Sequence, residues 1–168
     1  MIDKNRKKNE KIIYLSKNEN ETKKLGKSLS KYLKREDVVA FNGDLGAGKT
    51  CFIQGIAEGL NCKNYVSSPS FSIIKEYSCD LTIYHFDLYR LGRPEELEDL
   101  GYEEYFYGNG ITLIEWAIKI IDYLPKNILL VEIKIGEEYS TRKIIFKPFG
   151  KRYEKIMEEL KNCENIGN

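Results

Sequence analysis

The chain contains 168 residues, 42% of them hydrophobic and 32% charged, and its 27 basic and 26 acidic side chains leave a net charge of +1. This length predicts one domain, residues 1–168, with a hydrophobic core of its own. The nearly balanced charge argues against a surface that grips nucleic acid by itself, although it is compatible with a local basic patch.

The first forty residues predict a tail, a strand, a helix and a second strand. Residues 1–10 are polar and basic and predict a frayed end, with attraction of an anion as the alternative. Residues 12–15 form a short apolar run of the strand type. Leucines at helical spacing then predict a helix that ends near Lys34 and Arg35, before an apolar strand at residues 38–41.

A glycine-rich loop follows the second strand. Residues 43–50 read GDLGAGKT, which is the G-x-x-x-x-G-K-[ST] pattern of a phosphate-binding loop between a strand and a helix. Glycines let backbone N–H groups converge on phosphate oxygens, and the following helix adds its free N–H groups. In this pattern Lys49 reaches the β- and γ-phosphates and the Thr50 hydroxyl holds Mg²⁺. The alternative is a glycine-rich turn that binds nothing.

A helix and a hairpin are predicted after the loop. The helix closes around Gly59 and Asn61. A turn-rich segment, residues 67–70, then leads into two strand-like runs at residues 71–77 and 81–86. Because so short a connection cannot cross over the sheet, the two runs predict an antiparallel hairpin.

The second half of the chain alternates helices and strands. Helical segments are predicted from residues 93–97, with Pro94 in the first turn, and at residues 116–121 and 151–163. Strands are predicted at residues 111–114, 128–135 and 143–146. The whole pattern predicts an α/β fold of the P-loop NTPase type. This is a three-layer sandwich around a mixed, mainly parallel sheet with antiparallel hairpins at its margins.

Two predicted strands end in an acidic residue, Asp87 and Glu115. Mg²⁺ prefers oxygen ligands, and the carboxyl ends of strands face the ligand in open α/β sheets. We therefore expect an acid opposite Thr50, and Glu115, at the end of a continuous apolar strand, has the clearer profile. Either acid could instead cap a helix or pair with Arg90. Spacing alone does not decide which acid holds a metal and which positions water.

Four other side chains have both a structural and a functional interpretation. His85 alternates with residues that should be buried, which favours a packed strand residue over a catalyst. Trp116 is expected to be a core or partner contact rather than a platform for base stacking. Arg90 and Arg142 suit either neutralisation of phosphate charge or a surface ion pair.

The cysteine pattern predicts a reduced, cytoplasmic protein. Four cysteines without a C-x-x-C pair, together with a single histidine, match neither zinc-site spacing nor a secreted disulfide framework. Cys51, next to Thr50, is expected to pack as a small apolar residue. No run approaches the roughly 18 apolar residues of a membrane span, and the N-terminus lacks the apolar core of a signal peptide.

Four segments occur in an order that is specific to one family. They are residues 43–50 (GDLGAGKT), 68–71 (SPSF), 85–90 (HFDLYR) and 115–116 (EW). In these segments the chain resembles TsaE, the YjeE family of small bacterial ATPases in the synthesis of tRNA threonylcarbamoyladenosine (t6A). The similarity runs from about Leu15 to Phe146.

The resemblance implies roles for the loop and for both acids. The residues that surround the nucleotide phosphates would be Asp44, Leu45, Gly46, Ala47, Gly48, Lys49, Thr50 and Cys51. Thr50 and Glu115 would hold Mg²⁺, and Asp87 would lie near the terminal phosphate to orient the attacking water. Lys49, Asp87 and Glu115 would together carry the catalysis.

The resemblance also implies contacts at the edge of the nucleotide site. Residues 68–71 would form a switch-like loop that senses the nucleotide. Thr22 would contact the base end of the nucleotide, and Arg142 its outer side. Two positions depart from the family pattern: Ser70 stands where Thr is usual, and Ala117 where Pro is usual. The second change is expected to make the start of that helix less rigid.

The resemblance further implies a biological role. The family binds ATP and hydrolyses it slowly. It acts with two partner proteins, TsaD and TsaB, which form the enzyme that modifies adenosine 37 of tRNAs reading ANN codons. TsaE would meet tRNA only through this complex and would transfer no threonylcarbamoyl group itself, its ATPase supporting turnover of the complex.

Two other functions share the phosphate-binding loop. A small-molecule kinase needs an acceptor pocket and usually a basic lid. Residues 90–101 would make a poor phosphate lid because acids outnumber their two arginines. A GTP-driven switch would carry a guanine-reading N-K-x-D segment in the later half of the sequence, and none is present.

Overall fold

Apolar runs form the strands of one sheet in the computed structural model, which describes residues 10–68 and 72–164. The strands are β1 (Ile12–Ser16), β2 (Val38–Asn42), β3 (Ile74–Tyr77), β4 (Thr82–Asp87), β5 (Gly110–Glu115), β6 (Ile128–Ile135) and β7 (Arg142–Phe149). Their order across the sheet is β1-β7-β6-β2-β5-β4-β3. The four central strands, β6, β2, β5 and β4, run parallel, and antiparallel pairs lie at both margins. The predicted mixed sheet is confirmed.

Helices cover both faces of this sheet and complete the predicted three layers. They are α1 (Glu19–Ser30), α2 (Lys49–Gly59), α3 (Glu96–Asp99), α4 (Tyr102–Phe106) and α5 (Lys151–Glu164), with 3₁₀ turns over Ala117–Tyr123. The first core lies under α1, α2 and α5, and the second under α3, α4 and the 3₁₀ turns. None of the helices in the described ranges is long and apolar enough to cross a membrane.

The strand before the glycine-rich loop is buried on both sides. Val39 and Phe41 of β2 belong to the first core, and Val38 and Ala40 belong to the second. Successive strand residues point to opposite faces, so a strand covered on both faces must be apolar throughout. This burial explains the continuous apolar run in the sequence and anchors the loop rigidly at the middle of the sheet.

The first helix is shorter than its leucine spacing predicted. α1 ends at Ser30 rather than near Lys34 and Arg35. The backbone N–H of Lys34 donates to Oδ2 of Asp37 at 2.7 Å, which turns the chain into β2. Leu33 therefore keeps a buried position, 7% exposed, although it lies outside the helix. Leu25, Leu29 and Leu33 pack into the same core, so their spacing is helical although Leu33 lies beyond the end of the helix.

The acidic helix predicted from residues 93–97 is two short helices. Pro94 precedes α3 instead of lying in its first turn, and α4, which the sequence did not predict, follows. Gly101 separates α3 from α4 with φ 64°, a left-handed conformation that suits glycine. The helix predicted at residues 116–121 consists of 3₁₀ turns that begin at Ala117.

The last strand is longer than predicted and contains a proline. β7 extends to Phe149, beyond the predicted residues 143–146. β1 pairs only with residues 142–146 of β7, and Pro148 lies beyond that stretch, opposite Leu129 of β6. The predicted hairpin is confirmed by the antiparallel pairing of β3 and β4. Residues 1–9 of the predicted tail, which was residues 1–10, and the strand start at residue 71 lie outside the described residues.

The expectation that the cysteines are all reduced was wrong for one pair. Cys62 and Cys79 form a disulfide with a Cα–Cα distance of 4.3 Å. Cys62 follows α2 and Cys79 lies in the turn between β3 and β4. The N–H of Asp80 donates to the carbonyl of Leu60 at 2.9 Å and brings these two segments together. The pairing is tertiary, so cysteine spacing alone could not predict it.

The C-terminal helix is attached to the start of β2 by a buried carboxylate. Asp37 is 3% exposed, and its two oxygens accept hydrogen bonds from Nε and Nη2 of Arg152 at 2.7 and 2.5 Å. Tyr153 accepts a hydrogen bond from the N–H of Val38 at 2.9 Å. Burial, followed by the charge of Asp37, raises the pKa of Tyr153. These contacts give α5, to which the sequence assigned no role, a structural task.

Asp37→Ala is expected to destabilise the protein by about 3 kcal/mol, because it leaves the Arg152 guanidinium without its buried partner. Urea unfolding followed by circular dichroism measures the change. The matched control is Glu132→Ala, which removes an ion pair with Lys147 at 2.7 Å whose side chains are each 28% exposed and should cost less than about 1 kcal/mol. Equal effects in the two variants would contradict the role given to Asp37.

Candidate functional site

The glycine-rich loop joins the end of β2 to the start of α2. Gly46 and Gly48 have φ of 79° and 109°, where other residues are strained. A Cβ on Gly46 would enter open space, whereas a Cβ on Gly43 would lie 2.4 Å from the carbonyl oxygen of Ile133. The loop therefore needs glycine for conformation at one point and for close packing at another. Its concave side receives the first N–H groups of α2 and the positive end of the helix dipole.

Lys49 lies folded into the loop. Its Nζ donates to the carbonyl oxygens of Gly43 at 2.5 Å and Asp44 at 2.9 Å, and it lies 4.2 Å from the ring centroid of Trp116. The side chain is buried, and burial lowers its pKa, against the raising effect of nearby carboxylates, Glu115 first. A buried ammonium group held by neutral carbonyls and a ring face is well placed to pair with an incoming anion. Trp116 thus contacts the loop lysine.

Thr50 and Glu115 face each other across the site, as the sequence predicted. Oγ1 of Thr50 donates to Oε1 of Glu115 at 2.8 Å. β5 lies beside β2 with Phe41 opposite Glu115, so this parallel pairing carries the carboxylate to the level of the loop. Glu115 is 3% exposed, and a carboxylate so deeply buried needs hydrogen-bond partners.

Asp87 lies next to Glu115 at the carboxyl end of the neighbouring strand. Asp87 and Glu115 are paired in register between β4 and β5. Oδ1 of Asp87 accepts a hydrogen bond from the N–H of Tyr89 at 3.1 Å, and Oδ2 accepts one from the Ser68 hydroxyl. Ser68 belongs to the predicted switch-like loop, whose residues 69–71 lie outside the described part of the chain. The acid is thus oriented by one backbone and one side-chain donor.

The sequence favoured a packing role for His85, but its position in the structure makes it a functional candidate. It is fully buried, and its Nε2 lies 2.7 Å from Oε2 of Glu115. The sequence signal was a polar residue at a buried position of β4, two residues before Asp87 and on the same face. Nothing in the sequence identified Glu115 as its partner, because the two residues lie on different strands.

Arg142 and Thr22 lie beside the site, where Arg142 contacts the glycine-rich loop and Thr22 contacts Ser16. Nε and Nη2 of Arg142 donate to the carbonyls of Ala47 at 2.7 Å and Gly46 at 3.3 Å, so the guanidinium supports the loop from β7. Thr22 is 1% exposed, and its hydroxyl lies 2.8 Å from that of Ser16. Neither residue lines the cavity described next, and their contacts with a nucleotide stay predictions.

A cavity of about 600 Å³ opens between the loop, the two acids and the chain around residue 68. It is lined by Glu19, Leu45, Gly46, Gly48, Lys49, Thr50, Cys51, Ser68, Ser72, Ile73, Asp87, Tyr89, Arg90, Glu115 and Trp116. The cavity therefore brings together most of the predicted loop residues and both acids. Arg90, weighed as a phosphate partner or a surface residue, also reaches it. Burial raises the pKa of the Cys51 thiol, so this cysteine lines the wall as a neutral group.

The side chains beside Thr50 suit a magnesium ion shared with a ligand. Thr50 and Glu115 offer two hard oxygens, and the described residues contain no group of three or more His, Cys, Asp or Glu side chains that could hold a metal alone. Mg²⁺ is usually held by one or two protein oxygens together with phosphate oxygens and water. The donor set therefore fits a cation that arrives with a nucleotide better than a resident metal.

The sequence of the chain is similar to those of proteins with a named role. A family model described as "Threonylcarbamoyl adenosine biosynthesis protein TsaE" matches residues 16–144. The tRNA threonylcarbamoyladenosine biosynthesis protein TsaE of Bacillus subtilis (strain 168) is 46% identical over 152 residues, 90% of this chain and 94% of that protein. The protein of the same name from Treponema pallidum (strain Nichols) is 35% identical over 121 residues, 72% of this chain and 90% of that protein.

The fold is similar to that of a solved structure. The crystal structure of Bacillus subtilis YdiB superimposes with a TM-score of 0.78 and 39% sequence identity, covering 93% of this chain and 97% of that one. The range of the family match contains the glycine-rich loop, both acids and His85. It also agrees with the similarity range predicted from the motifs.

Proposed function

This chain belongs to the TsaE family, and from that membership we propose that it binds and slowly hydrolyses ATP in support of tRNA t6A synthesis. The modified base would be adenosine 37 of tRNAs that read ANN codons. One observation carries the ATPase proposal: Thr50 and Glu115 face each other at 2.8 Å, in the cavity that Lys49 and the glycine-rich loop also line. That arrangement combines phosphate binding with a site for a divalent cation.

Binding of the triphosphate would use the loop and its lysine. The N–H groups at the start of α2 would donate to phosphate oxygens, and Lys49 would exchange its carbonyl partners, Gly43 and Asp44, for the β- and γ-phosphates. Trp116 and the cavity wall would keep water away from this lysine and so strengthen its interaction with the anion. Arg142 would keep the loop carbonyls turned outward and the N–H groups turned inward.

Thr50 and Glu115 would hold the magnesium ion that arrives with the nucleotide. When bound there, Mg²⁺ supplies positive charge against the charge that develops on the transferring phosphoryl group. The Thr50 hydroxyl would give up its hydrogen bond to Oε1 of Glu115. Oγ1 of Thr50 and Oε1 of Glu115 could then both face the cation. Because Glu115 is buried and held on two sides, it would need little reorganisation.

Asp87 would orient the attacking water. It lies in the same cavity as Lys49 and Glu115, and its carboxylate is held by the N–H of Tyr89 and by Ser68. An oriented carboxylate can accept a hydrogen bond from water and align it with the terminal phosphate. The link to Ser68 would let residues 68–71 respond to the state of the nucleotide.

Asp87→Asn is expected to bind ATP as the wild type does and to hydrolyse it about 100-fold more slowly, because the amide keeps the shape but not the charge. Single-turnover hydrolysis and a nucleotide titration measure the two effects separately. The matched control is Asp80→Asn, an exposed acid in the turn before β4, which should change neither quantity. Normal turnover in Asp87→Asn would remove Asp87 from the mechanism.

The function as a whole is tested with the expected partners, TsaD and TsaB. ATP hydrolysis is measured for the chain alone, with purified TsaD–TsaB, and with TsaD–TsaB and substrate tRNA. Strong stimulation by the complete assembly supports the proposal, and the Lys49→Ala variant controls for contaminating ATPases. Transfer of phosphate to a small acceptor instead of water would favour a kinase and overturn it, as would a clear preference for GTP.

A further inference from the structure

His85 and Glu115 form a buried pair behind the cavity. Nε2 of His85 lies 2.7 Å from Oε2 of Glu115, and the two residues are 0% and 3% exposed. His85 lies on β4 and Glu115 on β5, which are neighbouring parallel strands. The imidazole therefore contacts Glu115 across the two strands, and Asp87 follows His85 by two residues on β4.

The two oxygens of the Glu115 carboxylate have different partners. Oε1 accepts a hydrogen bond from the Thr50 hydroxyl at 2.8 Å, and Oε2 faces His85. The hydroxyl of Thr50 can rotate away, whereas the ring of His85 is enclosed on all sides. The bond to His85 is therefore the one that persists when Thr50 changes partner, and it turns Oε1 towards the loop.

The second ring nitrogen indicates which tautomer is present. Nδ1 of His85 is buried and has no hydrogen-bond partner in residues 10–68 and 72–164. A neutral imidazole carries its proton on one nitrogen and accepts at the other. A proton on Nδ1 would leave a buried N–H unpaired and set the Nε2 lone pair against a carboxylate oxygen. The geometry therefore favours the proton on Nε2, donated to Glu115.

We propose that His85 is a positioning residue that holds Oε2 of Glu115 and thereby presents Oε1, with Thr50, to a divalent cation. The inference rests on the proposed Mg²⁺–ATP site. A group that hydrogen-bonds to a metal ligand orients that ligand and raises metal affinity. A histidine that only packed the core would change stability without changing the effect of Mg²⁺ on nucleotide binding.

The test compares two variants that differ in reach by one methylene. The amide nitrogen of His85→Gln can occupy the place of Nε2, whereas that of His85→Asn falls near Nδ1 and short of Glu115. Affinity for a non-hydrolysable ATP analogue is measured by calorimetry for each protein, once with Mg²⁺ and once with EDTA. The ratio of the two affinities isolates the contribution of the cation, because a general weakening of the site cancels. Thermal unfolding checks that each variant is folded.

His85→Asn is expected to lower this ratio about tenfold, and His85→Gln to keep most of it, with the affinities in EDTA unchanged. A wild-type ratio in His85→Asn, or equal losses in both variants, would overturn the positioning role. If the wild type itself showed no effect of Mg²⁺, the proposed cation site would fail first. The two failures are therefore distinguishable.

A second measurement needs no nucleotide. His85 is the only histidine in the chain, so the ¹⁵N resonances of its ring are assigned without ambiguity in protein lacking a histidine tag. The expected spectrum shows a protonated Nε2 and an unprotonated Nδ1, with the Nε2 resonance shifted in Glu115→Gln. An unprotonated Nε2, or no response to Glu115→Gln, would overturn the inference even if both His85 variants were too unstable to titrate.

Discussion

Lys49→Ala is expected to weaken Mg²⁺–ATP binding by more than about 100-fold. The ammonium group would form charge-assisted hydrogen bonds with two phosphate groups inside a water-poor cavity, where each is worth about 1.5–3 kcal/mol. A loss of about 3 kcal/mol corresponds to a factor above 100 in the dissociation constant. Calorimetric titration with Mg²⁺–ATP measures the change directly.

The chain provides a closely matched control for this variant. Lys119 also donates to two backbone carbonyls, those of Tyr89 and Leu91, and its ammonium lies 5.8 Å from the ring centroid of Tyr89. It does not line the cavity, so Lys119→Ala should leave ATP affinity unchanged. Wild-type affinity in Lys49→Ala, with the protein folded, would remove the glycine-rich loop from the proposed function.

Glu115→Gln is expected to lower ATP hydrolysis by about 100-fold or more. The amide keeps the shape of the side chain but not the charge that would hold Mg²⁺, and the cation supplies several kcal/mol to the transition state. The affinity for ATP should then be nearly the same with Mg²⁺ and with EDTA. A nucleotide titration under both conditions measures this, and an unchanged effect of Mg²⁺ would contradict the role of Glu115.

Glu115→Ala gives less clear information than Glu115→Gln. Glu115 is 3% exposed and partners both Thr50 and His85. Removing the carboxylate leaves the buried histidine unpaired, which should cost about 1–3 kcal/mol of stability. Glu76→Ala, at an exposed position of β3, is the matched control in urea unfolding and should have little effect.

Local patterns predicted most of the elements that build the site. The apolar run before the glycine-rich loop became β2, and the run ending at Glu115 became β5, within one or two residues of their predicted bounds. Burial on both faces leaves such a continuous signature. Boundaries failed after Ser30, where the hydrogen bond from Lys34 to Asp37 turns the chain into β2, and at β7, which continues through Pro148 to Phe149. Leucine spacing and strand composition indicate an element but not the residue at which it ends.

The sequence by itself determined the glycine-rich loop, the two strand-end acids and the family, because each depends on residue types at short, fixed spacings. Only the tertiary structure decided which side chains meet. Thr50 and Glu115 are 65 residues apart, His85 and Glu115 are 30, and Arg142 and Ala47 are 95. Strand periodicity predicts the face on which a side chain lies but not the neighbouring strand. Strand order and register follow from the burial of both sheet faces against the helices, which is a property of the whole chain.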